Sequence, residues 1–262
     1  MILLDKTGYS IVEPFLTEEN RRLPLLEDFI VQKKEAAIYA DSETSPESFF
    51  ILSKSSWAYL VGRKTAAFRK DILDFLYREQ RDFCIWFGVD SGWVRESEGD
   101  SGRFELGDYP RYEYRFDRDR FFRNEKQDKR YQPRIIDSSN ISAACEFSSS
   151  ISDFYETPEA FLKNGLGFVI TEGNRVIGEV VSASVSSMRE AEMDIHTSEE
   201  YRTRGIGTSL GEAFIRKCLQ KGLIPKWDCM VSNTASAKLA DRLGFSVIRE
   251  YPVTCLVTKK KA

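Results

Sequence analysis

The run Tyr201-Arg202-Thr203-Arg204-Gly205-Ile206-Gly207-Thr208 sets two glycines, one residue apart, at the mouth of a strongly helical segment. With no side chain at 205 or 207 the backbone can curl until successive N–H groups converge on one point. The helix that follows adds its positive end, so residues 202 to 207 read as an anion cradle fit for a pyrophosphate. Downstream, Ile206, Leu210 and Phe214 recur on one helical face until Gly222 and Pro225 stop it. Upstream, Glu192 to Thr197 reads as a strand, which makes the whole a strand-loop-helix unit.

Two common owners of such a turn are excluded by neighbouring residues. A P-loop needs a lysine and then Ser or Thr after its last glycine, whereas Thr208-Ser209 follow Gly207 directly. A dinucleotide fingerprint needs a third small residue where Leu210 stands and a glycine close behind its strand, but Ser198 to Arg204 intervene. Too little chain follows Asp228 for a doubly wound nucleotide domain.

The elements around the turn are legible from about residue 131. Gln132 to Ile136 predicts a strand, Asn140 to Phe147 a helix, and Thr157-Pro158-Glu159 a further helix with an N-cap and a first-turn proline, ended by Gly165. Phe168 to Thr171 and Val176 to Val185 predict a hairpin about Gly173-Asn174. After the glycine-turn helix come a strand at Lys226 to Val231, a helix from Asn233 to Leu243 closed by Gly244, and a strand at Val253 to Thr258. The expected architecture is one mixed, mostly antiparallel sheet flanked by helices, spanning residues 131–262.

Residues 1–130 form a separate α/β domain of no identified type. Leu25 to Tyr39 and Thr65 to Tyr77 predict helices, Phe49 to Leu52 and Phe83 to Phe87 strands, and Val89 to Gly107 a loop. Trp57, Trp86 and Trp93 read as core. Between Arg111 and Arg134 basic residues interleave with Tyr112, Tyr114 and Phe116, a composition that can serve single strands. The alternation with Glu113, Arg115 and Asp117 makes a half-buried strand and then a solvated linker the better reading.

The form Arg-x-x-Gly-x-Gly between a strand and a helix, together with the element order of residues 132–262, resembles the GNAT acetyltransferase family. Asn233 followed by Leu239-Ala240-Asp241-Arg242-Leu243-Gly244-Phe245 looks like that family's second signature. Pro225-Lys226-Trp227-Asp228 with Asn233 and Ser236 looks like its bacterial zwittermicin-A-resistance-type subgroup. The resemblance implies acetyl-CoA as co-substrate. Its pyrophosphate would lie on the N–H groups of Arg202, Thr203, Arg204, Gly205, Ile206 and Gly207 and on the Thr208 hydroxyl. Its pantetheine arm would run along the strand ending Ile195-His196-Thr197, with Asn233 and Ser236 on the other side. Asn233 is equally well placed as the N-cap of its helix. Family members are often dimers, so the resemblance also offers a homodimer.

Acetyl transfer to an amine demands a neutral nucleophile. Deprotonating a lysine-like amine of pKa about 10.4 costs about 4 to 5 kcal/mol at neutral pH, and an aligned general base contributes about a hundred- to ten-thousand-fold in rate. Glu192, Asp194 and His196 share one face of the strand before the cradle, where burying them unpaired would be costly. Glu192 reads first as base, Asp194 second, and His196, the sole histidine, third. Three ligands on one strand stand too far apart for a metal site. The family's usual acid, a tyrosine four residues before the glycine of Leu-Gly-Phe, is here Ala240, so the acid is unidentified: Tyr251 on the neighbouring strand could serve, and a core tyrosine is its better reading. A working N-acetyltransferase with residues 1–130 as an acceptor-site wall is one reading; a non-catalytic acyl-CoA-binding sensor is the other.

Composition frames these readings. Across 262 residues, 38 basic and 41 acidic side chains leave a net charge of −3, no global reason to bind nucleic acid or an anionic membrane. Five cysteines without CxxC spacing read as reduced thiols. A charge at Asp5 comes too early for a leader and no apolar run approaches membrane length, so a soluble cytoplasmic protein is expected, with a small-molecule or peptide amine as its partner.

Overall fold

A computed structural model describes residues 1–21, 23–31, 34–79, 85–87, 94, 102–125, 130–186 and 189–259. In chain order its elements are β1 (Ile2–Leu3), α1 (Glu18–Arg21), α2 (Pro24–Ile30), β2 (Ala36–Ala40), β3 (Ser48–Ser53), β4 (Trp57–Gly62), α3 (Ala66–Glu79), β5 (Ile85–Phe87), β6 (Phe104–Asp108) and β7 (Arg111–Phe116). Then follow α4 (Arg118–Asn124), β8 (Arg134–Ile135), α5 (Ile141–Phe147), α6 (Ser150–Phe154), α7 (Pro158–Asn164), β9 (Gly167–Glu172), β10 (Arg175–Val185) and β11 (Glu190–Thr197). The last are α8 (Ile206–Gln220), β12 (Ile224–Lys226), β13 (Asp228–Met230), α9 (Thr234–Arg242), β14 (Phe245–Tyr251) and β15 (Thr254–Thr258). The fold is mixed α/β with antiparallel-rich sheets flanked by helices, as the element order predicts.

Two compact units divide the chain, one of residues 1–111 with 250–262 and the other of residues 112–249. The division lies away from the residue 130/131 boundary expected, because β7 pairs with β13 and β14 while β15 returns to the sheet of the first unit. Val253 to Thr258 therefore does not complete the second unit's sheet. The apolar alternation that marks a strand says nothing of which sheet receives it.

The first unit is a seven-stranded sheet ordered β1-β2-β3-β4-β5-β15-β6. The helix expected over Leu25 to Tyr39 is shorter, since α2 ends at Ile30 and Ala36–Ala40 is a strand paired with β3. Phe104–Asp108, expected inside a loop, is strand β6. Of the rest of that loop only Val94, Gly102 and Arg103 are described; Trp93, and Phe83 with Cys84 of the expected strand, lie outside the described residues. Trp57 and Trp86 pack ring against ring at 6.1 Å. Cys255 is disulfide-bonded rather than reduced, and Cys145, Cys218 and Cys229 are free thiols.

Residues 134–226 form a five-stranded sheet ordered β12-β11-β10-β9-β8, antiparallel but for the β11–β12 pair. Its two faces bury different cores. On one, Ile206, Leu210, Phe214 and Ile215 of α8 pack on Ile177, Val180, Ala191 and Met193. On the other, Ile141, Ala144, Ile151 and Phe161 of α5, α6 and α7 pack on Val169, Val176 and Val181. Full burial of one such side chain stabilises by about 1.5–3 kcal/mol, so each helix is held mainly by its apolar stripe. The single strand expected over Lys226 to Val231 is divided at Trp227: β12 stays in this sheet, and β13 joins a three-stranded sheet ordered β13-β7-β14.

Both units share one frame. In each, an antiparallel three-strand meander (β2-β3-β4 or β9-β10-β11) leads into a long helix (α3 or α8) and then a short strand parallel to the third.

Candidate active site

The cradle forms where the chain leaves β11. After a short turn at Glu199–Tyr201 and the extended Arg202, Thr203 (φ 63°) and Gly205 (φ 97°) take left-handed backbone, and Gly205 is the N-cap of α8. That conformation is open to glycine and strained for other residues. Gly205 offers no side chain to the first turn of α8, whose outward N–H groups stay available at the positive end of the dipole. Gly207 sits tightly against α9, since a Cβ there would lie 3.2 Å from Leu239 Cδ2 and that side chain would have to give by a few tenths of an ångström. Arg202 pairs with Glu199 at 3.2 Å and Arg204 stacks over Tyr201 at 5.1 Å, so both guanidinium groups are engaged on the surface. The donors that converge are backbone ones.

In the first unit, by contrast, the corresponding helix is closed. Thr65 Oγ1 accepts the Phe68 N–H at 3.1 Å, and only three residues separate β4 from α3. The same frame thus carries one capped helix end and one open end.

Beside the cradle, β11 has an edge that is free among the described residues. Its pairing with β12 runs Glu190↔Ile224, Ala191↔Pro225 and Glu192↔Lys226 and then stops, while β11 continues to Thr197. Trp227, buried at 5.5 Å from Phe245, draws the chain into the other sheet. Lys226 anchors the fork, paired with Glu190 at 3.3 Å and Glu113 at 3.9 Å, and Glu113 also binds Arg249. Because Ser198 N–H bonds Ile177 across β10, alternation turns the N–H and C=O of Ile195 and Thr197 toward the open side.

Asn233 and Ser236 come together at the start of α9. Asn233 Oδ1 accepts the Ser236 N–H at 3.0 Å, the N-cap expected of it, and Ser236 Oγ accepts Trp227 Nε1–H at 3.1 Å. Leu239, one turn on, brings its side chain against Gly207 at the start of α8.

The ionisable row of β11 divides as its alternation predicts. Ala191 and Met193 enter the α8 core, and Glu192, Asp194 and His196 take the opposite face. Asp194 Oδ2 accepts Ser150 Oγ–H at 2.7 Å and meets His196 Nε2 at 3.2 Å. Burial works to raise the Asp194 pKa, but its hydrogen bond with His196, the imidazolium charge and Ser150 outweigh that and lower it. The hydrogen bond to Asp194 raises His196 in turn. Glu192 is half-buried at the last residue paired with β12.

A fourth member was missed by the sequence reading. Glu179 of β10 is the direct cross-strand partner of His196, is 0% exposed, and is pushed up by burial. Its Oε1 meets Ser148 Oγ, and Ser148 Oγ lies 3.0 Å from Ser150 Oγ. The available signal was one carboxylate within the otherwise apolar and small run Val176 to Val185. Ala240, at the usual acid's position, is fully buried in the core. Among the described residues no group of three or more His, Cys, Asp or Glu could hold a metal ion, and no helix is long and apolar enough to cross a membrane.

Known proteins share this arrangement of elements. A family model described as GNAT acetyltransferase matches residues 25–254, which takes in most of the first unit as well as the second, where the sequence motifs lie. YdfB of Bacillus subtilis (strain 168), described as an uncharacterized N-acetyltransferase, is 31% identical over 225 residues, covering 83% of this chain and 84% of its own. The crystal structure of a GCN5-related N-acetyltransferase-like protein from Streptococcus suis 89/1591 superposes with a TM-score of 0.68 at 24% identity, over 87% of this chain and 90% of that one. A tandem GNAT protein from the clavulanic acid biosynthesis pathway gives 0.66 at 10% identity over 100% and 98%. The two structural likenesses speak to the fold.

Proposed function

The chain belongs to the GNAT acetyltransferase family, and on that premise we propose that it transfers acetyl from acetyl-CoA directly to the amine of a small molecule or peptide. One observation carries the proposal: the free edge of β11 and the uncapped start of α8 are the two ends of one continuous strand-turn-helix segment. The turn would hold the pyrophosphate on the N–H groups of Thr203 to Gly207 and the Thr208 hydroxyl, since the Arg202 N–H is given to the Glu199 carbonyl at 3.1 Å. The pantetheine amides would pair with the outward backbone of Ile195 and Thr197, as an added strand does. Asn233, whose Oδ1 is committed to its helix, would offer its amide N–H2 to the arm. The motifs at Pro225 to Asp228 and Asn233 to Ala240 support placing the chain with the zwittermicin-A-resistance-type subgroup.

For the base we favour the Asp194–His196 pair over Glu192. Asp194 holds one ring nitrogen, and the half-exposed ring can take a proton from the attacking amine and release it to water. As the amine adds to the thioester carbon, the C–S bond breaks and the thiolate leaves, a leaving group stable enough to depart without a dedicated acid.

Two measurements together test the reading. Calorimetric titration with acetyl-CoA should show binding, and thiol release against a panel of amines should show turnover. No binding would overturn it, and binding without turnover on any amine would leave the non-catalytic acyl-CoA-binding reading in its place.

A further inference from the structure

An unbroken line of polar atoms runs from the exposed imidazole into the floor of the sheet. His196 Nε2 meets Asp194 Oδ2 at 3.2 Å, Asp194 Oδ2 meets Ser150 Oγ at 2.7 Å, Ser150 Oγ meets Ser148 Oγ at 3.0 Å, and Ser148 Oγ meets Glu179 Oε1. Each serine hydroxyl has a single proton to give. An ionised Asp194 only accepts, so Ser150 gives its proton to Asp194. Ser150 Oγ must then accept from Ser148, which leaves Ser148 with nothing to donate to Glu179.

The proton of the innermost bond therefore has to come from Glu179. Ser148 Oγ then fills both lone pairs, one with that O–H and one with the Ser150 backbone N–H at 3.1 Å. The alternative, an ionised Glu179, takes the Ser148 proton and leaves two hydroxyl oxygens facing each other at 3.0 Å with none between them. It also leaves Oε2, which is buried and has no hydrogen-bond partner among the described residues, as a bare anionic oxygen. A carboxyl C=O in that place costs far less.

We propose that Glu179 works as a neutral carboxylic acid and is a positioning residue, donating through Ser148 and Ser150 to fix Asp194 and hence the ring of His196. The proposal rests on the Asp194–His196 pair being the base. The titratable groups facing the line agree with a neutral Glu179. Asp194 beside it on β11 disfavours a second negative charge and Cys145 on α5 is a free thiol held up by burial, while His196, which Asp153 of α6 also faces, and the hydroxyls of Ser148 and Ser150 pull the other way. The burial that raises Glu179 is the largest influence on it.

Infrared difference spectroscopy reads the protonation state without any turnover. The carboxylic-acid C=O band of Glu179 should be present at neutral pH and vanish in Glu179→Gln. Its absence from the unsubstituted protein overturns the proposal. In thiol-release assays Glu179→Leu should lower kcat by about ten- to a hundredfold, the scale of a misplaced reacting group, with little change in KM for acetyl-CoA. Glu179→Gln, which keeps a neutral N–H donor, should recover most of that loss. Ser148→Ala, which cuts the line and spares Glu179, should move the acidic limb of the pH–rate profile. A Gln variant as slow as the Leu variant would show Glu179 acting as a charged base and overturn the proposal. Should no amine be acetylated at all, the function reading fails, and the infrared band still decides the state of Glu179.

Discussion

Glu179 and His196 stand directly opposite each other across β10 and β11, yet the first is fully buried and the side chain of the second is 51% exposed. One cross-strand pair therefore spans the depth of the site from sheet floor to solvent. Asp194, two residues before His196, joins the two levels through Ser150 and Ser148.

The pH dependence of turnover should report this pairing. The imidazole accepts a proton only when neutral, and its pKa is raised above 6.5 by Asp194. Rate should thus climb with pH through a midpoint above 6.5. Asp194→Asn removes the negative charge that stabilises the imidazolium, so the midpoint should fall while kcat drops by about a hundredfold or more. A kcat/KM profile over pH for both proteins is the check, and a midpoint unmoved in Asp194→Asn contradicts it.

Replacing Gly205 tests the cradle against its capped counterpart. Gly205→Ala forces an L side chain into left-handed backbone, at a cost of about 1–2 kcal/mol, and should weaken acetyl-CoA by at least several-fold in calorimetry. Thr65→Ala, which removes the cap from α3, should lower stability by about 1 kcal/mol and leave that affinity alone. Equal losses of affinity in the two variants would show that the effect is only one of stability.

Thr197→Pro deletes one N–H that points to the free side of β11, a place where a strand tolerates proline. With the ladder to β10 intact, circular dichroism should be unchanged. Acetyl-CoA affinity should fall about fivefold, the value of roughly one hydrogen bond.

Asn233 can be dissected with two variants. Asn233→Asp keeps an N-cap oxygen but loses the amide donor, so its Tm should stay near that of the parent while acetyl-CoA affinity drops by several-fold. Asn233→Ala should lose both affinity and about 1 kcal/mol of stability. An unaltered affinity in Asn233→Asp would confine Asn233 to capping.

Much of this was legible in local sequence because the signals are local. Gly205 announces a left-handed turn, Thr157 and Asn233 announce helix starts, and the alternation of Glu190–Thr197 states which residues share a face. The unread part was set by contacts distant in sequence. Nothing in Thr254–Thr258 says that its hydrogen-bond partners are β5 and β6, far back in the chain. Nothing near Trp227 says that a strand will fork there, since its partner Phe245 arrives after a whole helix. Glu179 was overlooked for the same reason: its meaning depends on Ser148 and His196, which neither helical nor strand periodicity connects to it.

The place of β15 also sets an order of events during synthesis. Residues 112–249 are contiguous and can fold as soon as they leave the ribosome, whereas the sheet of the first unit has a vacancy between β5 and β6 until Thr254–Thr258 emerges. At about 5–20 residues per second, the stretch between β6 and β15 takes on the order of ten seconds to make. For that interval two strand edges lie unpaired in the nascent protein. The first unit is thus completed only after the second has been made, and its open strand edges are exposed to stray pairing until then.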